Sequence, residues 1–439
     1  MRFYRSIAAR VLTAAALALA VPAAAQGEQA ADSFTVAVIP DTQNYLDFTH
    51  QTEAGFPFNA REIFFDQMEY IARHAQSQGG DIAFAVAVGD VWQHATKKMD
   101  EAHARLGLKA VPNKLLDNHI APDQRAITIE MPTARQGYAM LDGKVPFAVV
   151  PGNHDYDANW SDSKFPPAED YRNPGDNKYP FGQLHYGGLD NFRAVFGADK
   201  PFFKGKPWYL ANYNGGANSV TTFTAGGYRF LHIGLEMAPA DDVLVWAERQ
   251  VKAHPGLPTI VTVHDHLSPR GLREPNPAVD FKAVHPEHNN AEDLWAKFLS
   301  RHDQIFLVLS GHQHGQARRV DKNAYGHDVH QVLADYQDRN QTIAQVTPAG
   351  TTPPPGGIGD GWLRLMRFDL GAEPQIAVTT YSTVFKANAA QLPTYAAFYK
   401  AKEKPTIADE AFIGEEEFVL PLTDFAARFA GARIAQGNR

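Results

Sequence analysis

Gly152-Asn153-His154-Asp155 puts an amide, an imidazole and a carboxylate side by side, directly after the apolar and β-branched run at residues 145–150. Alone, the four residues could be a turn, since Gly, Asn and Asp all favour turns. Four other apolar runs end in the same kind of residue. Residues 34–39 lead to Asp41-Thr42-Gln43, residues 82–88 to Gly89-Asp90, residues 259–263 to His264, and residues 305–309 to Gly311-His312-Gln313-His314. Carboxylate oxygen, amide oxygen and imidazole nitrogen together suit borderline divalent cations such as manganese, iron or zinc. The chain has no cysteine, which argues against a structural zinc site built on thiolates.

Residues so far apart in the chain can act together only if the fold gathers the strand ends. In open α/β sheets ligands collect at the carboxyl ends of the strands, so five strands ending in metal-competent residues point to one crevice. The intervening pattern agrees. Residues 61–78 carry Ile63, Phe64, Met68, Ile71, Ala72 and Ala75 at near-helical spacing before Gly79-Gly80, giving a strand, helix, strand start. Further helices are expected at 95–106, 132–141, 241–252 and 291–302, and a hairpin at 219–225 and 228–235 across Gly226-Gly227. Later strands are expected at 329–333, 362–369 and 375–381. The fold class is α/β.

The strand-end set resembles the calcineurin-like metallophosphoesterase superfamily, through Asp41-Thr42-Gln43, Gly89-Asp90, the GNHD element at 152–155, His264 and the GHxH element at 311–314. The resemblance implies two mixed β-sheets packed as a sandwich and flanked by helices, with the metals at strand carboxyl ends. It implies that Asp90 bridges two divalent ions (Mn, Fe or Zn), that Asp41 and His314 bind the first, and that Asn153, His264 and His312 bind the second. Gln43 stands where many members carry histidine, a D-x-Q variant of the first motif. It can bind through its oxygen, through a water, or not at all. The implied activity is phosphate-ester hydrolysis by attack of metal-bound hydroxide. His154 is implied to neutralise charge on the leaving-group oxygen, and Asp155 either fixes its ring or closes the turn.

Other histidines stay outside that set. His94 and His266 read as hydrogen-bonded or surface residues, and His285-Pro286-Glu287-His288 as a loop. Asp155, Asp157, Asn159 and Ser161 alternate like a calcium loop, but Trp160 and Pro166 stand where its glycine and glutamate belong, which excludes an EF-hand. Gly356-Gly357-Ile358-Gly359 does not open a helix after a strand, so it carries little weight as a nucleotide loop.

Residues 1–25 read as a signal peptide: Arg2, Arg5 and Arg10, then an apolar region at 11–21, then Ala23-Ala24-Ala25. A linker follows at 26–33. The catalytic domain is expected at 34–384, with insertions about 92–143 and 157–218, and residues 385–439 as a C-terminal extension packing on it. The second insertion is aromatic-rich, fitting either a loop region held by its own rings or a substrate wall. A periplasmic or secreted location follows, with no membrane span. Loss of the leader removes three arginines and no acid, taking the formal net charge from -8 to -11. An acidic protein is not built for stable nucleic-acid binding. The expected partner is a phosphate-ester substrate, and the sequence leaves oligomeric state open. The alternative reading is a catalytically inactive, metal-holding binding module of the cell envelope.

Overall fold

Two seven-stranded mixed sheets face one another across a shared apolar core. The computed structural model describes residues 32–434 apart from 114–115, 118–119, 163, 165–182, 275–278, 280 and 348–356. The expected leader, most of the linker, Gly356, and Phe165, Tyr171, Tyr179 and Phe181 of the aromatic stretch lie outside the described residues.

The strands are β1 (Ser33–Ile39), β2 (Ile82–Ala87), β3 (Phe147–Val149), β4 (Ala158–Asp162), β5 (Gln183–Gly187), β6 (Tyr209–Tyr213), β7 (Asn218–Ala225) and β8 (Tyr228–Leu235). They continue with β9 (Thr259–Val263), β10 (Ile305–Ser310), β11 (Gly315–Lys322), β12 (Asp328–Asp335), β13 (Trp362–Asp369), β14 (Gln375–Ser382), β15 (Ala387–Asn388) and β16 (Phe418–Pro421). The first sheet has the order β15-β14-β13-β1-β2-β3, with β16 also on β14, and the second β11-β12-β10-β9-β8-β7-β6. In the first sheet β1, β2 and β3 run parallel. In the second, β8, β9, β10 and β12 run parallel.

Burial explains the composition of these strands. β1 and β2 are apolar almost throughout because both faces of the parallel centre are covered. β14 alternates buried and half-exposed positions, as an antiparallel strand near an edge does. Phe34, Val36, Phe84 and Phe368 of the first sheet pack on Phe223, Phe230, Ile260 and Phe306 of the second. Phe84 and Phe223 stack across the gap at 4.7 Å. Each ring so buried contributes about 1.5 to 3 kcal/mol.

Several helices are shorter than their apolar periodicity suggests, although the one at Asp241–Ala253 keeps its expected length. α1 (Arg61–Arg73) gives way to a single 3-10 turn at Gln76–Gln78, because Ala75 is extended and bridges to Ile82. In the expected 95–106 helix only α2 (Glu101–Arg105) forms, where the Asp100 side chain accepts the amides of Ala102 and His103. α3 (Met131–Ala139), α4 (Asp241–Ala253) and α5 (Ala291–Lys297) complete the set used below. α4 and α5 cover the outer face of the second sheet through Val243, Trp246 and Leu294 against Leu231, Ile233 and Val308. The hairpin between β7 and β8 turns on Gly226 and Gly227, whose φ values of 55° and 75° suit a two-residue turn. β4 and β5, a two-stranded sheet inside the aromatic stretch, carried no clear signal in the sequence. No helix among the described residues is long and apolar enough to cross a membrane.

The C-terminal segment is tied to the first sheet by a buried charge cluster. Glu416 meets Arg364 of β13 and Arg339, each at 2.7 Å, and all three are buried.

Candidate metal centre

Because β1, β2 and β3 are parallel, their carboxyl ends share one edge, and Asp41, Asp90 and Asn153 follow them there. His264 and His312 follow the parallel pair β9 and β10. The two edges are joined by hydrogen bonds. His264 Nδ1 donates to the Val88 carbonyl at 2.8 Å. The Gly311 amide donates to the His264 carbonyl at 2.9 Å, and the His312 amide donates to Asp41 Oδ2 at 3.2 Å.

A carbonyl can only accept, so the bond to Val88 leaves the lone pair of His264 on Nε2. That nitrogen lies 3.2 Å from Asp90 Oδ1, 3.2 Å from Asn153 Oδ1 and 3.9 Å from Asp41 Oδ2. One donor atom from each of Asp90, His264 and His312 falls within 4.8 Å of the others. The electrostatics call for a cation here. Burial opposes a charged His264 ring, yet Asp90 and Asp41 push its pKa up to about 10. Burial, with Asp335 nearby, raises the Asp41 carboxyl well above the usual carboxylate range. Burial and the His264 ring together lower His312. Asp41 Oδ1 and Gln43 Oε1 are buried with no hydrogen-bond partner. A divalent cation would satisfy these atoms and take the place of the proton that His264 otherwise holds, so the residues present fit a metal site.

The backbone is shaped around these side chains. Asp90 and His312 adopt φ values of 50° and 69°, a conformation that costs free energy away from glycine and gathers at functional sites. A Cβ on Gly152 would lie 2.2 Å from Asp90 Oδ1, and one on Gly311 would lie 2.1 Å from Asp41 Oδ1. The glycines of GNHD and GHxH are therefore set by space.

Gln43 is fully buried, and its Nε2 donates to Asp90 Oδ2 at 3.2 Å and also to Gln337 Oε1. Gln337 Nε2 reaches His314 Nε2 at 2.6 Å, and His314 Nδ1 meets Asp338 Oδ2 at 2.5 Å. His314 is thus linked to Asp90 through two amides, and its side chain is 45% exposed. Asn153 is oriented by its Nδ2 donating to the Tyr186 hydroxyl at 3.3 Å.

His154 borders this cluster. Its amide donates to Asp90 Oδ1 at 2.9 Å, and its Nδ1 to the Gln93 carbonyl at 2.7 Å. Of the two roles open to Asp155, fixing this ring or closing the turn, the structure shows the second. Asp155 is fully buried and accepts the amides of Val91 at 3.0 Å and Gly152 at 2.8 Å, so it ties the GNHD turn to the segment after β2. Burial and the neighbouring Asp90 push its carboxyl up to about 8. His266 is buried against Gln331 at 2.9 Å, and His94 against Glu130 at 2.7 Å. Asp335, buried at the end of β12, was missed in the sequence although it closes an apolar strand as Asp41 and Asp90 do. Gln337 and Gln93 had no signal at all, since one acts in an amide relay and the other through its backbone.

A family model described as calcineurin-like phosphoesterase matches residues 34–316. The uncharacterized protein YvnB of Bacillus subtilis (strain 168) is 25% identical over 272 residues, which are 60% of this chain and 16% of YvnB. This chain therefore spans only a small part of that relative. Among solved structures, purple acid phosphatase PPD1 from yellow lupin (Lupinus luteus) seeds is 10% identical, with a TM-score of 0.40 over 82% of this chain and 53% of its own. GAP50, the anchor in the inner membrane complex of Plasmodium, is 8% identical, with a TM-score of 0.36 over 81% of this chain and 86% of its own.

Proposed function

This chain belongs to the calcineurin-like phosphoesterase family, and on that premise we propose that it is a dimetal-dependent hydrolase of phosphate esters. The observation that carries the proposal is the convergence of Asp90, His264 and His312 within 4.8 Å, beside unpartnered buried oxygens of Asp41 and Gln43. Asp41, Gln43, Asp90, Asn153, His264, His312 and His314 would hold the ions. Two divalent ions, when bound, supply positive charge for a phosphoryl group and lower the pKa of water toward neutrality.

The remaining steps fall to the chain. Asp90 positions the GNHD turn by accepting the His154 amide, and the Gln93 carbonyl fixes the His154 tautomer with hydrogen on Nδ1. His154 Nε2 then serves the leaving-group oxygen, donating a proton when the ring is cationic. A cleft of about 990 Å³ opens beside His314. Three of its cations pair with carboxylates, Arg270 with Glu274, Arg339 with Glu403 and Glu416, and Lys404 with Glu415, while Lys402 meets the neutral Asn340 side-chain oxygen at 2.7 Å. Most of the charge for the phosphate is then left to the metal centre, with Lys402 the lining cation not tied to a carboxylate. Export after removal of residues 1–25 belongs to the same proposal, and N-terminal sequencing of protein recovered from the native host tests it.

The experiment is elemental analysis of purified protein alongside hydrolysis of a matched aryl phosphate monoester and diester. About two ions in this centre with turnover is the expected result, and the ratio of the rates assigns the ester class. Absence of turnover after addition of manganese, iron and zinc would overturn the proposal in favour of a metal-holding binding module.

A further inference from the structure

A second group of ligand-type side chains lies apart from the metal centre and shares none of its residues. Asp47, His50, His94 and Glu130 each offer one atom, and the four atoms lie within 4.8 Å of one another. His50 Nδ1 is 2.5 Å from Asp47 Oδ1, His94 Nδ1 is 2.7 Å from Glu130 Oε1 and 3.7 Å from Asp47 Oδ1. The two imidazoles face each other with centroids 4.3 Å apart. From these contacts we infer a separate divalent-cation site formed by Asp47, His50, His94 and Glu130, of a kind suited to zinc.

Three features of the surroundings support a cation. First, His50 Nε2 is taken by Asp123 Oδ2 at 2.8 Å, and Asp123 is itself held by Arg125 Nε at 3.0 Å. A carboxylate on the far nitrogen is the usual partner of a metal-bound histidine, because it fixes the tautomer and leaves the near lone pair for the ion. Second, with Nδ1 in that state a ring lone pair and a carboxylate oxygen point at each other. His50 Nδ1 and Asp47 Oδ1 are buried atoms whose one close contact is each other, at 2.5 Å; either a proton lies between them or a cation takes its place. Third, Glu130 is fully buried at the end of a π-helical turn, Ala126–Glu130. Its Oε2 is filled by the amides of Gln93 at 2.9 Å and His94 at 3.2 Å, which leaves Oε1 for the cluster. Such turns recur at functional sites.

Charge and size fit a single ion. Two carboxylates and two neutral rings balance one divalent cation, and nitrogen and oxygen donors suit zinc as well as manganese or iron. At zinc bond lengths of about 2.0 to 2.2 Å, tetrahedral donors stand roughly 3.3 to 3.6 Å apart. The two short pairs, at 2.5 and 2.7 Å, would open by roughly 0.6 to 1.1 Å to reach that spacing. The site would also brace the Gln93–His94 segment, whose carbonyl holds His154 Nδ1. The competing arrangement is a cationic His50 between Asp47 and Asp123 with no metal.

Elemental analysis of zinc-loaded wild-type protein and the His50→Gln variant separates the two. The expected result is one ion per chain fewer in the variant, whatever number the Asp90 centre holds. Equal metal content would overturn the inference and leave the Asp90 centre untouched. A second measurement covers a variant that does not fold. In the Asp90→Asn, His264→Ala protein, added zinc is expected to raise Tm, because a ligand that binds only the folded state stabilises it, and adding Glu130→Gln to that protein is expected to abolish the rise; an equal rise with Glu130→Gln would overturn the inference. No shift at saturating zinc would mean that the cluster holds a proton instead.

Discussion

The Nδ1 of His154 lies 2.7 Å from the backbone carbonyl oxygen of Gln93, so the ring is held by the chain itself and not by a carboxylate. With hydrogen on Nδ1 committed to that carbonyl, Nε2 can donate only when the ring carries a second proton. Replacing His154 by Ala is expected to leave metal content unchanged and to lower kcat by about 10²- to 10⁴-fold. The loss should grow with the pKa of the leaving group, since a good leaving group needs no proton. Rates for a series of substituted aryl phosphates check this; an equal loss across the series would remove His154 from that role.

Asp155 makes a different prediction from its neighbour. Its two oxygens accept the amides of Val91 and Gly152, and an asparagine offers one acceptor oxygen in place of two. Asp155→Asn is expected to cost about 1 to 3 kcal/mol of stability for the amide left unpaired and to weaken metal retention on dialysis. The dependence of rate on leaving group should be the same as in the wild type. A steeper dependence, like that of His154→Ala, would restore the idea that Asp155 acts through the ring.

The strand ends were legible because a parallel sheet covered on both faces needs unbroken apolar runs, and polar residues straight after such runs stand out. Asp41, Asp90, Asn153, His264 and His312 stand out in this way, and the fold brings them to two adjoining sheet edges joined by hydrogen bonds. The partners of these residues were less legible. Of the two roles open to Asp155, fixing the His154 ring or closing the turn, its carboxylate takes the second, accepting the Gly152 and Val91 amides. His94 reads as hydrogen-bonded or surface, and its partner could not be named because Glu130 lies 36 positions away at the end of a π-helical turn. β4 and β5 were hidden because Trp160, His185 and Tyr186 sit among loop-forming glycines and prolines, and pairing between distant short strands leaves no periodicity in the sequence.

Acid should act on the fold in two stages. His232 and His266 are buried as neutral rings, which burial brings down to about 3 and about 4. The unfolded chain protonates them near pH 6.5, so it binds more protons than the native state below that pH, and stability falls as pH drops from about 6.5 toward 4. Burial alone would raise the Glu416 carboxyl, but Arg339 and Arg364 beside it bring it down to about 2. Its contribution is therefore complete above its unfolded value near 4.5 and is lost as pH falls toward 2. Glu416→Gln is expected to destabilise the protein by about 3 to 5 kcal/mol at neutral pH, because it leaves two buried guanidinium groups short of a partner. It should also flatten Tm between pH 4.5 and 2 relative to wild type, while the fall from pH 6.5 persists. Thermal melts across pH test both parts.

Gly152 offers a test of how tightly the metal-centre edge is built. Its φ of -95° is open to any residue, so alanine there meets no backbone penalty and the effect reduces to space. The added Cβ would stand 2.2 Å from Asp90 Oδ1, 2.4 Å from Asp90 N and 2.7 Å from His264 Cε1. None of these atoms belongs to a flexible chain end: Asp90 is fixed by the amide of His154, and His264 by the Val88 carbonyl. Something must shift, and whichever gives way moves a proposed ligand by the better part of an ångström. A displacement of about 1 Å costs on the order of 10²-fold in rate, so Gly152→Ala is expected to lose at least that much turnover together with bound metal. Gly431→Ala, where a Cβ meets nothing within 4 Å, is the control and should keep both. Full metal content and activity in Gly152→Ala would mean that Asp90 and His264 have slack at this contact, and the dependence of the centre on the glycine of GNHD would have to be abandoned.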